Sequence, residues 1–104
     1  MIETRPLPDS PFGVEILGVD FSKSVSDGDI RTILRLFHEH EVILFREQEM
    51  DYDRYDWLTR HFGNHHPHFL DHLRLEGHPA ILLLSNIIED GNPVGVFEGA
   101  AFWH

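Results

Sequence analysis

The sequence contains no cysteine, and this absence excludes several kinds of site. Disulfides, zinc–thiolate sites, iron–sulfur clusters and cysteine nucleophiles all require a thiol. Basic residues are also scarce: 8 Lys and Arg stand against 18 Asp and Glu, which gives a formal net charge of −10. Because such a charge repels phosphate backbones, we expect no nucleic acid among the partners.

Long apolar runs are missing as well. The longest, residues 80–84, is far too short to cross a bilayer, and the first ten residues lack the basic-then-apolar layout of a signal peptide. We therefore expect a cytoplasmic protein with no membrane partner. A length of 104 residues suits one domain, and the 12% aromatic content argues against disorder.

One helix is predicted from a capping pattern followed by helical periodicity. Ser26 and Asp29 form a Ser-x-x-Asp pattern in which the serine side chain accepts from an early helix amide. The apolar residues that follow recur at helical spacing and predict one buried face: Ile30, Ile33, Leu34 and Phe37.

A second helix is predicted to start after Asp51, which can cap it. Its apolar face would carry Tyr55, Leu58 and Phe62. Gly63 stands where a left-handed C-terminal cap belongs.

Three strands are predicted, over residues 13–19, 42–45 and 81–88. In the first, Val14 and Ile16 would lie on one face and Glu15 on the other. The third would enter from a Gly77-His78-Pro79 turn and leave through the turn "EDGNP". Residues 5–13 carry three prolines and predict an irregular segment. The resulting order predicts an α/β fold with mixed short strands and two flanking helices.

The segment "HFGNHHPHFLDH" concentrates five histidines within twelve residues, namely His61, His65, His66, His68 and His72. Imidazole is the commonest metal ligand, so such a loop can bind a divalent metal. A solvated surface loop and a single histidine that reaches a ligand are the other interpretations. The alternative functions are therefore a small acidic His-rich metal-binding module or an inactive fragment.

Ser85 and Asn86 follow the third predicted strand, where the apolar run becomes polar. Polar residues at a strand end can line a pocket, and they can equally form a turn by bonding to their own backbone. We predict that Asn86 contacts substrate.

Five pieces in order carry a family resemblance: "GVEILGVDFSKSVSD", "LFHEHEVILFREQ", "RHFG", "ILLLSN" and "FWH". Together they resemble the N-terminal part of TauD/TfdA-type dioxygenases, which depend on iron(II) and 2-oxoglutarate. The resemblance implies a double-stranded β-helix, or jelly-roll, with the helices packed outside it. It also implies that residues 1–104 are the N-terminal part of a single catalytic domain, truncated just after its first metal-ligand histidine.

The resemblance assigns one metal ligand, because the family's first ligand follows a tryptophan as His104 does here. The family's His-x-Asp…His triad binds iron(II) on one face and leaves positions for 2-oxoglutarate and oxygen. The carboxylate, the second histidine and the arginine that binds 2-oxoglutarate have no counterpart in these 104 residues. The chain alone is therefore expected to be inactive.

The resemblance also implies a substrate contact in the histidine loop. In taurine dioxygenase-type members, a histidine after the "RFG" sequence contacts the substrate's sulfonate; ungapped counting favours His68 here, and the His-Pro dipeptide favours His66. We predict His68, which could bond an anionic oxygen. Asp71 and Ala100 depart from the family's residues, so the expected substrate is a small anionic organic acid rather than taurine. Unpaired strand edges of an incomplete jelly roll would favour a homo-oligomer.

Overall fold

A computed structural model of the protein describes residues 1–67 and 71–95. The chain divides into two compact units, Met1–Gly63 and Asn64–His104. The first contains two helices and three strands, and the second contains only a short 3-10 helix and short strands among its described residues. A mixed α/β composition with two helices is thus confirmed.

Helix α1 spans Asp27–His40 and begins as its sequence predicts. Ser26 is in an extended conformation, and its Oγ accepts a hydrogen bond from the Asp29 amide at 3.1 Å. This bond satisfies one of the amides that the first helical turn leaves without a partner. The buried residues of α1 are Ile30, Ile33 and Leu36.

The predicted face of α1 is therefore only partly right. Leu34 and Phe37 are half-buried, and Leu36, which was not predicted, is buried to 5% exposure. Positions 30, 33 and 36 are separated by three residues, so the buried stripe is inclined towards one side of the predicted face.

Helix α1 ends in a backbone conformation that the sequence does not reveal. Glu41 has φ 69° and ψ −35°. Its amide bonds to the Phe37 carbonyl at 2.8 Å, and the amide of Val42 bonds to the His40 carbonyl at 2.8 Å. The second bond closes a three-residue γ-turn with positive φ, a strained geometry for a residue with a side chain. This turn directs the chain from α1 straight into the next strand.

The first unit contains a three-stranded sheet in the order β1-β2-β3. Strand β1 spans Glu3–Pro6 and pairs antiparallel with β2, Val14–Leu17, whereas β3, Ile43–Leu44, pairs parallel with β2. The predicted strands over 13–19 and 42–45 are present but shorter. Residues 5 and 6, predicted as irregular, belong to β1, because a proline is tolerated at the end of an edge strand.

The core of the first unit forms where α1 connects the two parallel strands. Its buried apolar side chains come from β2, α1, the loop after β2 and α2: Val14, Ile16, Phe21, Ile30, Ile33, Leu36 and Leu58. Phe21 is fully buried, and its ring meets that of Phe45 edge to face at 4.9 Å. This packing fixes the loops that follow β2 and β3.

Helix α2 spans Tyr52–Arg60, and the Asp51 side chain caps it by accepting from the Arg54 amide at 2.8 Å, as predicted. Leu58 is buried, but Tyr55 is 47% exposed, so its predicted place in the apolar face is wrong. The cap at the C-terminal end is His61 in a right-handed conformation, and not Gly63. A helix of nine residues buries only a narrow stripe of its surface, and Tyr55 lies on the solvent-facing side of α2.

In the second unit, strand β4, Arg74–Leu75, pairs antiparallel with β5, His78–Leu82. The turn between them is formed by residues 76 and 77, where Gly77 has φ 82°, so His78 and Pro79 lie in the strand rather than in the predicted turn. A short 3-10 helix, Asp71–Leu73, precedes β4.

The predicted continuous strand over residues 81–88 is wrong. Strand β5 ends at Leu82, and a separate hairpin pairs β6, Ile88–Glu89, with β7, Asn92–Pro93. Its two-residue loop, Asp90-Gly91, has positive φ at both positions, as a type I′ turn requires. The apolar side chains of the predicted strand are not buried either: Leu84, Ile87 and Ile88 are 74%, 56% and 58% exposed.

Candidate functional site

Two of the three predicted site residues, His68 and His104, lie outside the described residues. Asn86 is described; it is exposed in the second unit, between β5 and β6. Its neighbour Ser85 accepts a hydrogen bond from the Ile87 amide at 3.1 Å, which is the local turn bond that serine commonly forms. The three predicted site residues therefore remain predictions.

The described histidines of the loop do not assemble a metal site. His61 lies at the end of α2, with Nδ1 2.8 Å from the Trp57 carbonyl and its ring 4.7 Å from the Trp57 ring. His66 is exposed. Within residues 1–67 and 71–95, no group of three His, Asp or Glu side chains could hold a metal ion.

A polar concave feature of the first unit lies where β2 and β3 end. The loops that leave these parallel strands bound a cleft of about 510 Å³, together with Arg5 of β1. Its lining includes residues 17–20, at and after the end of β2, and residues 46–49 after β3. The carboxyl ends of parallel strands are a common position for ligands, since the loops diverge there.

Glu15 forms the floor of this cleft, and it is buried although it is charged. Only 7% of its side chain is exposed. Arg5 donates to Oε2 at 2.9 Å, and Arg46 donates to Oε1 at 3.2 Å. The hydrogen bond from Arg5, aided by that from Arg46 and by both positive charges, lowers the pKa of Glu15 although desolvation opposes the shift. The carboxylate is therefore held ionised between two guanidinium groups.

The strand register explains this arrangement. Arg5 lies directly opposite Glu15 in the β1–β2 ladder, and Glu15 pairs with Leu44 in the β2–β3 ladder, two residues before Arg46. Arg5 thus faces Glu15 across the ladder, and Arg46, which follows β3, reaches the same carboxylate from the other side. The sequence pattern places Glu15 on the face opposite Val14 and Ile16, but it does not predict that this carboxylate is buried. The signal for this burial is an arginine on the antiparallel neighbour β1, Arg5, and a second arginine, Arg46, just after the parallel neighbour β3.

One amide side chain links the two loops that bound the cleft. Gln48 accepts from the Phe21 amide at 3.0 Å through Oε1, and its Nε2 donates to the Val19 carbonyl at 2.9 Å. Gln48 belongs to the loop after β3, and both of its partners belong to the loop after β2. These two bonds therefore hold the loops at a fixed separation.

The loop after β2 is also fixed from the side of α2. Arg54 donates to the carbonyls of Phe21 and Lys23, each at 2.8 Å, and its guanidinium lies 4.0 Å above the ring of Trp57. Asp20 accepts from the amide and hydroxyl of Ser22 at 2.9 and 2.6 Å, and these bonds lower the pKa of Asp20. The cleft is consequently bounded by backbone with few degrees of freedom.

Neither described helix is long and apolar enough to cross a membrane.

Comparison with known proteins identifies the family. The model of the "Taurine catabolism dioxygenase TauD, TfdA family" matches residues 3–104. Pentalenolactone F synthase of Streptomyces avermitilis is 32% identical over an alignment of 99 residues, which covers 93% of this chain and 32% of that protein. The chain thus spans about a third of the length of this curated relative.

Solved structures agree with this match. A putative alpha-ketoglutarate-dependent taurine dioxygenase from Burkholderia xenovorans gives a TM-score of 0.66 at 29% identity, over 76% of this chain and 28% of that one. A taurine dioxygenase from the same organism gives 0.64 at 25%, over 75% and 28%. AAD-2, solved with Mn(II) and N-oxalylglycine, shares the fold with a TM-score of 0.58 at 21% identity, over 64% and 24%. The chain therefore belongs to the TauD/TfdA dioxygenase family.

Proposed function

We propose that this protein is an iron(II)- and 2-oxoglutarate-dependent dioxygenase that hydroxylates a small anionic organic substrate. The observation that carries the proposal is the match of the TauD/TfdA family model to residues 3–104. An alpha-ketoglutarate-dependent enzyme among the similar structures supports the co-substrate, and AAD-2, solved with a metal and N-oxalylglycine, supports a metal. For the complete domain we propose the jelly-roll fold.

The described residues do not themselves fit the metal, since they contain no group of three suitable side chains. We therefore derive no chemical step through it. His104 is proposed as one iron ligand, on the family resemblance of the "FWH" sequence. A facial triad needs three protein ligands, so these 104 residues alone are proposed not to turn over 2-oxoglutarate.

The first unit is held rigid where its parallel strands end. Its parallel strands are connected by a capped helix, and the loops after them are held by Gln48 and Arg54. Partly buried hydrogen bonds of this kind hold the two loops in one conformation.

His68 is proposed to bond an anionic oxygen of the substrate. An imidazole can donate one hydrogen bond when neutral, and it adds a matching charge when protonated. A bond of this kind contributes roughly 1.5–3 kcal/mol to binding. Loss of this bond should therefore weaken substrate binding without affecting metal binding.

Anaerobic titration of iron(II), followed by calorimetry, tests these assignments in the protein expressed from its complete gene. His104→Ala should lose most iron binding, whereas His68→Ala should bind iron and 2-oxoglutarate as the unchanged protein does. His38→Ala is the matched control, because His38 is an exposed histidine on α1. Loss of iron in His68→Ala with retention in His104→Ala would instead make the histidine loop the metal site and would contradict the dioxygenase assignment.

A further inference from the structure

We propose that the cleft at the carboxyl ends of β2 and β3 binds a small basic amino acid, whose carboxylate is recognised by Arg5 and Arg46. The proposal uses only residues of the first unit, and it does not depend on the dioxygenase assignment. It lies wholly within the first unit.

The two arginines have more hydrogen-bonding capacity than Glu15 can use. Each donates one bond to that carboxylate, Arg5 through Nη2 and Arg46 through Nε. A guanidinium carries five N–H donors, so most of the donors on both side chains are left for another acceptor. Their side chains remain 61% and 59% exposed, so these donors are accessible from the cleft.

The charges make a carboxylate the preferred acceptor. One buried carboxylate between two guanidinium groups leaves a local excess of one positive charge at the floor of the cleft. Glu15 also holds both guanidinium groups in place, which reduces the entropy lost when a ligand binds. A single guanidinium can bind a carboxylate through two parallel hydrogen bonds.

The rim of the cleft has the opposite charge. Across the whole lining, four carboxylates stand against two guanidinium groups. Two acidic residues of the lining, Glu47 and Glu49, are exposed and form this rim. In the part of the chain that the structure describes, neither forms an ion pair. Because this rim repels a simple anion, we expect the ligand to carry ammonium groups as well. Its one carboxylate matches the single excess positive charge at the floor, and two ammonium groups match the carboxylates of Glu47 and Glu49.

The size and rigidity of the cleft suit such a ligand. Its volume of about 510 Å³ falls in the range of small-molecule sites. Gln48 holds the two loops together at the cleft. Glu47 has φ 55°, a left-handed conformation that the loop imposes on a residue with a side chain and that positions this carboxylate at the rim.

Isothermal calorimetry with three probes tests the proposal: L-lysine, cadaverine, which is lysine without its carboxylate, and hexanoate, which lacks both amines. We expect L-lysine to bind at least about tenfold more tightly than either, since each lost charge-assisted bond costs about that factor. No binding of L-lysine up to about 10 mM would overturn the proposal. Equal affinity for L-lysine and cadaverine would overturn it as well.

Two variants locate the site, with an exposed arginine of α1 as the control. Arg46→Gln should weaken L-lysine binding about tenfold and leave cadaverine binding unchanged. Glu47→Gln should weaken the binding of both amine-bearing probes. Arg31→Gln, which removes the same charge from an exposed position outside the lining, should change neither. Circular dichroism checks that each variant is folded. Because Glu47 is exposed, its variant stays interpretable if Arg46→Gln does not fold. Unchanged L-lysine binding in Glu47→Gln, or in folded Arg46→Gln, would contradict the site.

Discussion

Removal of the Phe21 ring tests whether the first unit is built around the loop that follows β2. The side chain is fully buried, and it packs edge to face against Phe45 at a centroid distance of 4.9 Å. Phe→Ala at a buried site costs about 3–5 kcal/mol, from lost burial and the cavity left behind. Because the aromatic pair is lost as well, we expect Phe21→Ala to lower the free energy of unfolding by at least about 4 kcal/mol.

Phe12→Ala is the matched control, because Phe12 is 52% exposed and undergoes the same deletion. Its cost should stay below about 1 kcal/mol. Urea denaturation followed by tryptophan fluorescence measures both. With a slope of about 1–3 kcal/mol per molar urea, the Phe21 variant should shift the midpoint by more than about 1 M.

Phe21→Ala could unfold the protein outright, since total stabilities are only about 5–15 kcal/mol. Ile33→Val is then the milder test of the same core; Ile33 is 1% exposed, and the change should cost about 0.5–1.5 kcal/mol. Equal midpoint shifts for Phe21→Ala and Phe12→Ala, or no shift for Ile33→Val, would refute the packing described here.

Three further changes test local features of the first unit. Glu41→Gly should raise stability by about 1 kcal/mol in the same urea assay, because glycine adopts the positive φ of 69° without strain; a lower midpoint would contradict the γ-turn. Ser26→Ala should cost about 1 kcal/mol through loss of the α1 cap, and an unchanged midpoint would show that this bond is unimportant. Because the pKa of Glu15 is lowered below its ordinary value of 4.5, its stabilising effect is fully present above pH 4.5 and is lost as the pH falls through the folded-state pKa. Melting temperature should therefore fall less steeply below pH 4.5 in Glu15→Gln than in the unchanged protein, and equal slopes would argue against the ion pairs.

The elements that the sequence predicts correctly are those with local signals. Ser26 and Asp51 cap helices through bonds that span three residues, so the pattern is complete within a short stretch of chain. Strand β1 was missed because its pairing with β2 joins residues about ten apart across a proline-rich segment. The hairpin β6–β7 could have been found, since Asp90-Gly91 is a strong type I′ signal.

The arrangement around Glu15 could not be predicted from sequence. Its two partners, Arg5 and Arg46, are 10 and 31 residues away, and only the sheet register brings them to one carboxylate. A charged residue in a short strand otherwise indicates a solvated face. The family, by contrast, was predicted from five short pieces in order, and the match to residues 3–104 confirms it.

The most direct test of the proposed activity is formation of succinate from 2-oxoglutarate by the protein expressed from its complete gene. The assay supplies iron(II), oxygen and a panel of small anionic organic acids, with a no-protein control and His104→Ala in parallel. The proposal predicts succinate above the control, increased by at least one acid of the panel, and none in His104→Ala. No succinate from an iron-loaded, folded protein, or equal succinate from His104→Ala, would contradict it.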